Sequence, residues 1–511
     1  MKTTQLLYLS ILFALPTLAQ ENNIQLQTDQ TKVIINKDIY GHFAEHLGRC
    51  IYDGIWVGEK SSIPNINGYR KDIIVALKDL NIPLLRWPGG CFADTYHWKD
   101  GIGPKEKRSS IVNVNWGGVT EDNSFGTHEF LNLCEMLGCD AYVSGNVGSG
   151  TVQEMAEWAE YMTSSNESPM TKLRKQNGRE KPWNVKYFGI GNEAWGCGGN
   201  MTAEHYANLC RQYNTYLGYA NGNMIRVASG GPDYDFNHWT EVTMKEVGQR
   251  VQGFSLHYYT FPSDWNHKAS ATNFGDSLYF VSMQKTIKMD TIIRDHKTIM
   301  DKYDKDKKVG LMVDEWGVWC EVEPGTNPGF LYQQNSMRDA MLAAINLNIF
   351  NNHADRVKIS NIAQVVNVLQ SVILTKGDQM VLTPTYYVFK MFKVHQNARL
   401  IPIKLNSKSY TYNKQSIAAI NASASKDSTG KIHITLANMD HKNANEVTID
   451  LGNIKTTTSK GEIITADKVN AYNDFGKPEK VNIQKFEGYK LSSNKLTISM
   501  PAKSIVCLEL K

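Results

Sequence analysis

Short apolar runs alternate with helical patterns from about residue 38 to residue 397. Eight runs have the length and the β-branched and aromatic content of buried strands; they read DIYGHFAEH, IPLLRWPGG, DAYVSGNVG, VKYFGIGNE, MIRVASGGP, GFSLHYYT, VGLMVDEWG and RVKISNIAQ. Between them, apolar residues recur at helical spacing, as in 202–220, where Thr202 is suited to cap a helix. This alternation predicts an α/β fold, a (β/α)8 TIM barrel over 38–397. A doubly wound sheet is disfavoured, because no G-x-G-x-x-G follows the first run.

The pattern changes after residue 397. The runs SIAAINASAS, KIHITLANMD, EVTIDLG and KLTISMPAKSIVCLEL alternate apolar and polar positions and are separated by Asn, Gly, Ser and Lys turns. Such short alternating runs are typical of antiparallel strands with one buried face. We therefore predict an appended antiparallel β-sandwich over 398–511. Residues 20–37 share this pattern, so we expect a strand from that segment to join the sandwich.

The first 19 residues have the pattern of a secretory signal peptide. Lys2 precedes an apolar stretch over 6–16, and the small residues Thr17 to Ala19 resemble a cleavage site. This predicts export to the periplasm or the medium. No later run reaches the roughly 18 apolar residues that a spanning helix needs, so we expect no membrane partner.

Charge and cysteine content exclude several classes of protein. The chain carries 55 basic and 51 acidic side chains, a balance that gives no reason to expect nucleic acid as a partner. Its eight cysteines show no C-x2-C zinc pattern and are too sparse for a disulfide scaffold.

Two carboxylates stand where predicted strands end. Glu193 closes the fourth run and Glu315 lies near the end of the seventh, and catalytic groups of such barrels lie at the C-terminal ends of strands. Tryptophans follow both carboxylates, at Trp195, Trp316 and Trp319. Either carboxylate alone would more often be a solvated loop acid. Together they predict a pair that cleaves a glycosidic bond, one by donating a proton and one by attacking.

Six blocks of sequence support this prediction and narrow it. They read GHFAEHLGRCIYDGIW, LRWPGGCFADTYHWKDGIGP, GIGNEAWGCGG, SLHYYT, VDEWGVW and NIAQVVNVLQS. In this order they resemble the α-L-arabinofuranosidases of glycoside hydrolase family 51, a family of the clan A barrels. The resemblance extends over the barrel and the sandwich that follows it.

The resemblance implies a role for each matching residue. Glu193 would be the general acid/base and Glu315 the nucleophile of a retaining double displacement, which requires carboxyl groups about 5–5.5 Å apart. Asn192 would bind the hydroxyl next to the reacting carbon, and Glu45 the distal furanose hydroxyls. The remaining residues would line the site: His257, Tyr259 with its hydroxyl near the nucleophile, Gln364 and Trp116.

Cys91 departs from the pattern of the family. Many relatives read GGNF, with an asparagine that binds the sugar, where this chain reads GGCF. A thiol is a weak hydrogen-bond partner. Cys91 therefore either shapes the substrate site or forms a bridge with Cys197, and the sequence leaves both alternatives open.

The segment HFAEH offers a competing interpretation. His42, Glu45 and His46 fit the H-x-x-E-H signature of a zinc peptidase, which requires both histidines on one face of a helix. Here Gly41 and Gly48 flank a strand-like stretch. We therefore expect neither a metal nor another cofactor.

The function that the resemblance implies is exo-acting release of terminal α-L-arabinofuranosyl residues from arabinose-containing plant polysaccharides or oligosaccharides. Another clan A specificity, an endo-glucanase or a β-xylosidase, is the main alternative, because the fold and both carboxylates would be the same. A non-catalytic sugar-binding barrel is a further one, although neither carboxylate is lost. Relatives often assemble through the barrel, so a homo-oligomer is compatible with the resemblance.

Overall fold

A closed barrel of eight parallel strands forms the centre of the computed structural model, which describes residues 21–28, 32–454, 456 and 459–511. Each strand pairs with the next along the chain, and the last closes on the first. They are β1 Gly41–Phe43, β2 Leu84–Trp87, β3 Asp140–Gly145, β4 Val185–Ile190, β5 Ile225–Ala228, β6 Gly253–Thr260, β7 Gly310–Val318 and β8 Val357–Ala363. Each coincides with a predicted run to within a few residues, so the predicted barrel is confirmed.

Helices follow the barrel strands and surround them. They are α1 Lys71–Asp79, α2 Thr127–Leu137, α3 Val152–Thr163, α4 Pro169–Gln176, α5 Ala203–Ala220, α6 Phe236–Val247, α7 Asp276–Thr286, α8 Lys288–Tyr303, α9 Met337–Asn352 and α10 Pro384–Phe392. Thr202 caps α5 as predicted, because its hydroxyl accepts a hydrogen bond from the His205 amide at 3.3 Å. None of the described helices combines the length and the apolar character needed to cross a membrane.

The barrel interior is filled toward the N-terminal ends of the strands. Six inward side chains pack there on one another, from all strands except β1 and β6: Leu84, Tyr142, Tyr187, Val227, Met312 and Ile359. Lys186 pairs with Asp38 and Asp140 at the same end of the barrel. This end is therefore packed, and a substrate site is left to the C-terminal end.

Two sheets form the sandwich, from the chain after the barrel and one strand before it. One contains, in spatial order, Ile403–Asn406, Asn22–Leu26, Asn445–Asp450, Lys495–Met500 and Tyr489–Ser492. The other contains Arg399–Ile401, Ile420–Lys426, Ile432–Asn438, Ser504–Leu510, Ser459–Ile464 and Gln484–Lys485. All pairings are antiparallel except that of Asn22–Leu26 with Asn445–Asp450. The limits 20–37, 38–397 and 398–511 stay predictions.

Short elements complete the described chain. The two-stranded hairpins pair Asn65–Ile66 with Tyr69–Arg70, Ile111–Val112 with Thr120–Glu121, Ile373–Lys376 with Gln379–Leu382, and Ser409–Tyr412 with Gln415–Ala418. The 3-10 helices are Lys37–Tyr40, Cys91–Thr95, Trp98–Gly101, Lys105–Lys107, Pro328–Phe330 and Lys393–His395.

Helix α9 joins the barrel to the sandwich through a buried polar contact. The Asn348 Oδ1 accepts hydrogen bonds from the hydroxyls of Ser423, at 2.8 Å, and Thr435, at 2.7 Å. Its Nδ2 donates to Asn421 at 2.9 Å. The Asn348, Ser423 and Thr435 side chains are fully buried, so water cannot replace these bonds.

We predict that Asn348→Ala destabilises the protein by about 2–4 kcal/mol, because two buried hydroxyls lose their acceptor. Asn352→Ala is the matched control. Asn352 also reaches the sandwich, at the Ala422 carbonyl, but it is exposed, so water can take its place. Thermal unfolding should show a clear fall in Tm for Asn348→Ala and a small one for Asn352→Ala; equal shifts would contradict the prediction.

Candidate active site

A pocket of about 540 Å³ lies at the C-terminal ends of the barrel strands, a size ordinary for small-molecule sites. It contains all but one of the residues predicted from the sequence to form the site. These are Glu45, Cys91, Trp116, Glu193, His257, Tyr259, Glu315 and Gln364. The exception, Asn192, is buried beside the pocket.

The two predicted catalytic carboxylates face each other across this pocket. A carboxylate oxygen of Glu193 lies within 4.8 Å of one of Glu315. The His257 Nδ1 lies between them, 2.9 Å from Glu193 Oε1 and 3.6 Å from Glu315 Oε2. Retaining glycosidases place their carboxyl groups about 5–5.5 Å apart, and inverting ones about 6.5–9.5 Å to admit a water. The spacing here favours direct attack by a carboxylate.

The backbone turns sharply where β4 ends. Gly191 has φ +78° and Glu193 has φ +41°, a left-handed conformation that is uncommon for a residue with a side chain. Residues whose backbone is held in such a sparsely populated conformation are concentrated at functional sites. This turn directs the Glu193 carboxylate into the pocket, which explains why an apolar strand is followed by Asn192 and an acid.

Glu315 is held between two donors. The Arg86 Nη1 donates to Oε1 at 2.7 Å and the Tyr259 hydroxyl donates to Oε2 at 2.8 Å. Burial by itself would lower the pKa of Arg86, but Glu315 and Asp314 outweigh burial and raise it, so the guanidinium stays charged. Burial and Glu315 raise the pKa of Tyr259 well above its ordinary value, so its hydroxyl keeps its proton. Two donors that keep their protons therefore fix both oxygens of the Glu315 carboxylate.

Asn192 is fixed by its carbonyl and has an amide group available. Arg86 Nη2 donates to Asn192 Oδ1 at 2.6 Å. The Asn192 Nδ2 is buried and has no hydrogen-bond partner among the described residues. Its backbone amide donates to Asp94 at 3.0 Å, and Asp94 also accepts from the amides of Val147 and Gly148. The ends of β3 and β4 are thereby tied together, and the free N–H can serve a ligand.

His257 is an imidazolium held among carboxylates. Burial lowers the pKa of His257, but Glu315, Asp314 and Glu193 outweigh burial and raise it to about 10.

Asp314 holds the other side of the imidazole, because the His257 Nε2 lies 3.4 Å from Asp314 Oδ1. Asp314 also accepts from the hydroxyls of Ser255, at 2.5 Å, and Tyr142, at 2.7 Å. Burial alone would raise the pKa of Asp314, but Arg86 and His257 lower it to about 2. Asp314 therefore orients a charged His257 toward Glu193.

Adjacent acidic residues share the barrel interior because β7 is irregular. Its register against β8 shifts between Val313 and Trp316, and such a bulge changes the direction of the following side chains. Asp314 and Glu315 both reach the site. Trp316, which the sequence placed beside it, is instead fully buried and packs on Phe350 and Phe389.

Glu45 forms the opposite wall of the pocket. Its Oε1 accepts from the Phe92 amide at 3.1 Å and the Trp116 indole at 2.9 Å, and its Oε2 accepts from Gln364 at 2.9 Å. Burial and the charge of Glu315 raise the pKa of Glu45 to about 7 despite these donors. A Cβ at Gly90 would lie 3.1 Å from Glu315 and 3.2 Å from Glu45, so a glycine there leaves room for both carboxylates.

Cys91 and Cys197 form a disulfide, which decides between the two alternatives that the sequence left open. The bridge joins the segment after β2 to the segment after β4 and lies against the pocket. Its sulfurs lie 4.0 Å and 3.7 Å from Glu193 Oε2. It therefore forms part of the wall beside Glu193, and a role for Cys91 in binding the substrate stays a prediction.

Sequence reasoning missed several residues of the site. Arg86 contacts Glu315, Asp314 contacts His257, and Asp94 fixes Asn192. The signal for Arg86 was a charged residue inside the apolar run PLLRW, since buried charges require partners. A ring cluster at the pocket mouth was also missed. Phe261 and Trp265 pack there against Trp319 with centroids 5.9 Å and 5.4 Å away.

Three candidate metal arrangements among the described residues each lack a complete set of three ligands. HFAEH is not helical: His42 lies in β1 and burial lowers its pKa to about 3, while His46 accepts from the Trp87 indole. Two other groups of the described residues come close enough to share an ion, Cys91–Glu193–Cys197 and Glu193–His257–Glu315. The sulfurs of the first are bonded to each other, which leaves only Glu193 as a ligand, and the imidazolium of the second has no lone pair to offer, which leaves only its two carboxylates.

Comparisons with known proteins agree with this geometry. Residues 76–273 match a family model described as the α-L-arabinofuranosidase 1 domain, and residues 314–504 match the α-L-arabinofuranosidase C-terminal domain. An intracellular exo-α-L-arabinofuranosidase of Bacteroides ovatus is 56% identical, over 96% of this chain and 95% of that protein. The chain belongs to glycoside hydrolase family 51.

Solved structures of arabinofuranosidases, one of them named as a member of family 51, share the whole architecture. The arabinofuranosidase of Xanthomonas axonopodis pv. citri superposes with a TM-score of 0.94 at 46% identity, covering 96% of this chain and all of that one. An arabinose complex of the Thermotoga maritima α-L-arabinofuranosidase gives 0.83 at 29% identity, covering 96% and 99%. The resemblance to family 51 seen in the sequence is thus confirmed.

The comparison with the Bacteroides ovatus relative contradicts the predicted export. The Bacteroides ovatus relative, at 56% identity, is named an intracellular enzyme, so the prediction of a periplasmic or extracellular protein is wrong. Residues 1–19, on which it was based, lie outside the described residues. An apolar stretch beside Lys2 was interpreted from its composition alone, and composition does not establish that a segment is recognised for export.

We predict that Asp314→Asn lowers kcat/KM about 10- to 100-fold by misorienting His257. It should also lower the pKa of His257, because the imidazolium loses a neighbouring negative charge. An NMR titration of ¹⁵N-labelled histidines, with the His257 signals identified by their loss in His257→Gln, measures that shift. Ser255→Ala, which removes one bond to Asp314 and keeps its charge, should leave the pKa of His257 high. An unchanged pKa in Asp314→Asn would rule out this role.

We predict that Glu45→Gln changes how stability depends on pH. Because the folded-state pKa of Glu45, about 7, exceeds its ordinary value of 4.5, the folded state keeps this proton to higher pH. The free energy of unfolding therefore falls as pH rises from about 4.5 to 7. Glutamine has no such proton. It also fits the site, because Gln364 can turn its unpartnered Oε1 toward the new amide.

The measurement is the Tm of both ligand-free proteins between pH 4.5 and pH 8. The Tm of Glu45→Gln should rise relative to that of the wild type as the pH increases. The contribution of Asp94, whose pKa burial also raises to about 7, is common to both and cancels. A difference in Tm that is independent of pH would show that Glu45 does not titrate in this way.

Proposed function

We propose that this chain is an exo-acting, retaining α-L-arabinofuranosidase. Its substrates would be terminal non-reducing α-L-arabinofuranosyl residues of arabinose-containing plant polysaccharides or oligosaccharides. The observation that carries the proposal is the pair Glu193, which follows β4, and Glu315, which lies in β7; one carboxylate oxygen of each lies within 4.8 Å of the other. The name of the Bacteroides ovatus relative, an exo-α-L-arabinofuranosidase, supports the sugar and the mode of action.

Glu315 is the proposed nucleophile. Arg86 and Tyr259 each donate a hydrogen bond to one of its oxygens and so fix the orientation of the carboxylate. In the first step a Glu315 oxygen bonds to the anomeric carbon while the bond to the leaving oxygen breaks, and Glu193 gives its proton to that oxygen. In the second step Glu193 takes a proton from water, the water oxygen bonds to the anomeric carbon, and Glu315 leaves. Two inversions give net retention.

The side of the pocket opposite Glu193 suits a single terminal sugar. Glu45 accepts hydrogen bonds there from Trp116 and Gln364, and the three side chains together form the wall of the pocket on that side. Glu45 offers an acceptor to hydroxyls, and the free amide of Asn192 offers a donor beside Glu315. A closed site for the terminal sugar supports exo action, because a polymer chain cannot continue past it.

The alternatives account less well for these contacts. A non-catalytic sugar-binding barrel would not require Arg86 and Tyr259 to fix both oxygens of a carboxyl group that lies 3.6 Å from His257 Nδ1. An endo-glucanase would need a pocket open on both sides of the scissile bond. A β-xylosidase would share both carboxylates, so the rates of hydrolysis of an α-L-arabinofuranoside and a β-xyloside distinguish the two activities.

We predict hydrolysis of 4-nitrophenyl α-L-arabinofuranoside in preference to the β-xyloside and β-glucoside, unaffected by EDTA. Transfer to methanol should give the α-methyl furanoside by NMR. The kcat/KM of Glu193→Ala should fall about 10²–10⁴-fold on substrates with poor leaving groups. Azide should restore turnover of the aryl glycoside, because nitrophenolate leaves without a proton and azide attacks the anomeric carbon without a general base. Glu315→Ala should be inactive on all of them.

Glu321→Ala is the matched control, because Glu321 follows β7 but is exposed and lies outside the pocket. It should retain full activity. An inverted methyl furanoside, or an active Glu315→Ala, would refute the nucleophile assignment. Turnover of the xyloside or glucoside alone would refute the specificity.

A further inference from the structure

A second cavity, of about 570 Å³, lies beside the active-site pocket; we call it the lateral cavity. It lies between the loop after β5, the end of β6 and the helices α7 and α8. Five residues line both spaces: Asp233, Tyr234, Tyr258, Tyr259 and Phe261. The two spaces are therefore neighbours that share one boundary.

The lateral cavity lies on the leaving-group side of the reaction. Strand β5 pairs with β4, which carries Glu193, the proposed acid for the leaving oxygen. Glu45, on the closed side for the terminal sugar, follows β1, on the opposite side of the eight-stranded barrel from β5. At the boundary, the Tyr234 ring meets Trp195 edge-on at 6.2 Å. A chain leaving the active site past Glu193 would thus meet Tyr234 and the lateral cavity.

The lining of the lateral cavity has unused polar groups beside aromatic rings. Asp233, Asn237 and Asp295 line it and make no side-chain hydrogen bond or ion pair with another described residue. The rings of Tyr234 and Phe261 border them. Carboxylate and amide groups bind hydroxyls, and aromatic faces pack on the C–H faces of sugars. This combination suits a polyhydroxylated chain.

A buried histidine at this cavity has a free acceptor. His296 is 2% exposed, and burial lowers its pKa to about 4, so it is neutral. The Thr240 hydroxyl donates to the Phe236 carbonyl, so it must accept from His296 Nδ1, 2.9 Å away. The proton of His296 is therefore on Nδ1, and Nε2 carries a lone pair with no partner among the described residues. A hydroxyl group would satisfy it.

A metal ion is a poor occupant for this lining. The described residues contain no group of three ligating side chains here that lie close enough to share an ion, since both such groups belong to the active site. Hydroxyl donors fit the free acceptors of the aspartates and His296 without requiring the carboxylates to converge.

We propose that the lateral cavity binds the saccharide units that follow the scissile bond on the leaving-group side. The enzyme would then prefer the ends of longer chains to short glycosides. This inference rests on the proposed function, because it takes Glu193 as the acid that faces the leaving group.

The test compares kcat/KM for 4-nitrophenyl α-L-arabinofuranoside with that for arabino-oligosaccharides of two and five units. The wild type should favour the five-unit chain over the two-unit chain. Tyr234→Ala should reduce the ratio of kcat/KM for the five-unit chain to that for the two-unit chain about three- to tenfold, as the loss of a ring contact would. Tyr219→Ala is the matched control, because Tyr219 is 80% exposed, as Tyr234 is 79%, and lies outside the cavity.

A second pair of variants fills the cavity. Ile292 on α8 lines it, and its neighbour Thr291 is exposed and does not. Ile292→Trp should abolish the advantage of the five-unit chain, and Thr291→Trp should preserve it. The proposal is overturned if the wild type shows no such advantage, or if Tyr234→Ala and Ile292→Trp both keep it while the aryl glycoside is turned over normally. In either case the proposed function would stand; a wild type inactive on every arabinofuranoside would refute both.

Discussion

The buried guanidinium of Arg86 is the interaction on which the site depends. It donates to the Glu315 carboxylate, the Asn192 carbonyl and the Ser144 hydroxyl. These groups belong to β7, to the segment after β4 and to β3, while Arg86 lies in β2. A buried charge without partners is strongly destabilising. The requirement to satisfy Arg86 therefore draws four parts of the barrel into the arrangement that the proposed chemistry needs.

Charges of opposite sign alternate around this centre. Arg86 and the imidazolium of His257 lie among Asp314, Glu315 and Glu193. Burial alone would raise the pKa of Asp314, but Arg86 and His257 lower it to about 2, so Asp314 stays charged while buried. Glu45 accepts its hydrogen bonds from the neutral donors Phe92, Trp116 and Gln364, and burial with the like charge of Glu315 raises its pKa to about 7. Burial in one pocket thus has different effects on different carboxyl groups, according to their partners.

The two sides of the pocket are built differently. On the side of β1 and β8, the hydrogen bonds of Glu45 to Trp116 and Gln364 close the wall. On the side of β5 and β6, exposed rings such as Tyr234 and polar side chains without partners leave the surface open toward the lateral cavity. A site closed on one side and open on the other suits removal of one terminal sugar from a longer chain, and the loops after the strands create this asymmetry on a common barrel.

The sequence by itself determined the strands, the barrel and the positions of Glu193 and Glu315, because apolar periodicity and strand ends are local properties of the chain. It did not determine the roles of Arg86 and Asp314, which follow from contacts between strands far apart in sequence. Nor could it show that Trp316 faces away from the site, because an irregularity in β7 decides that direction. The pairing of Cys91 with Cys197, 106 residues apart, likewise required the folded chain. Local patterns specify the elements, whereas only packing decides which side chains meet and which charges they share.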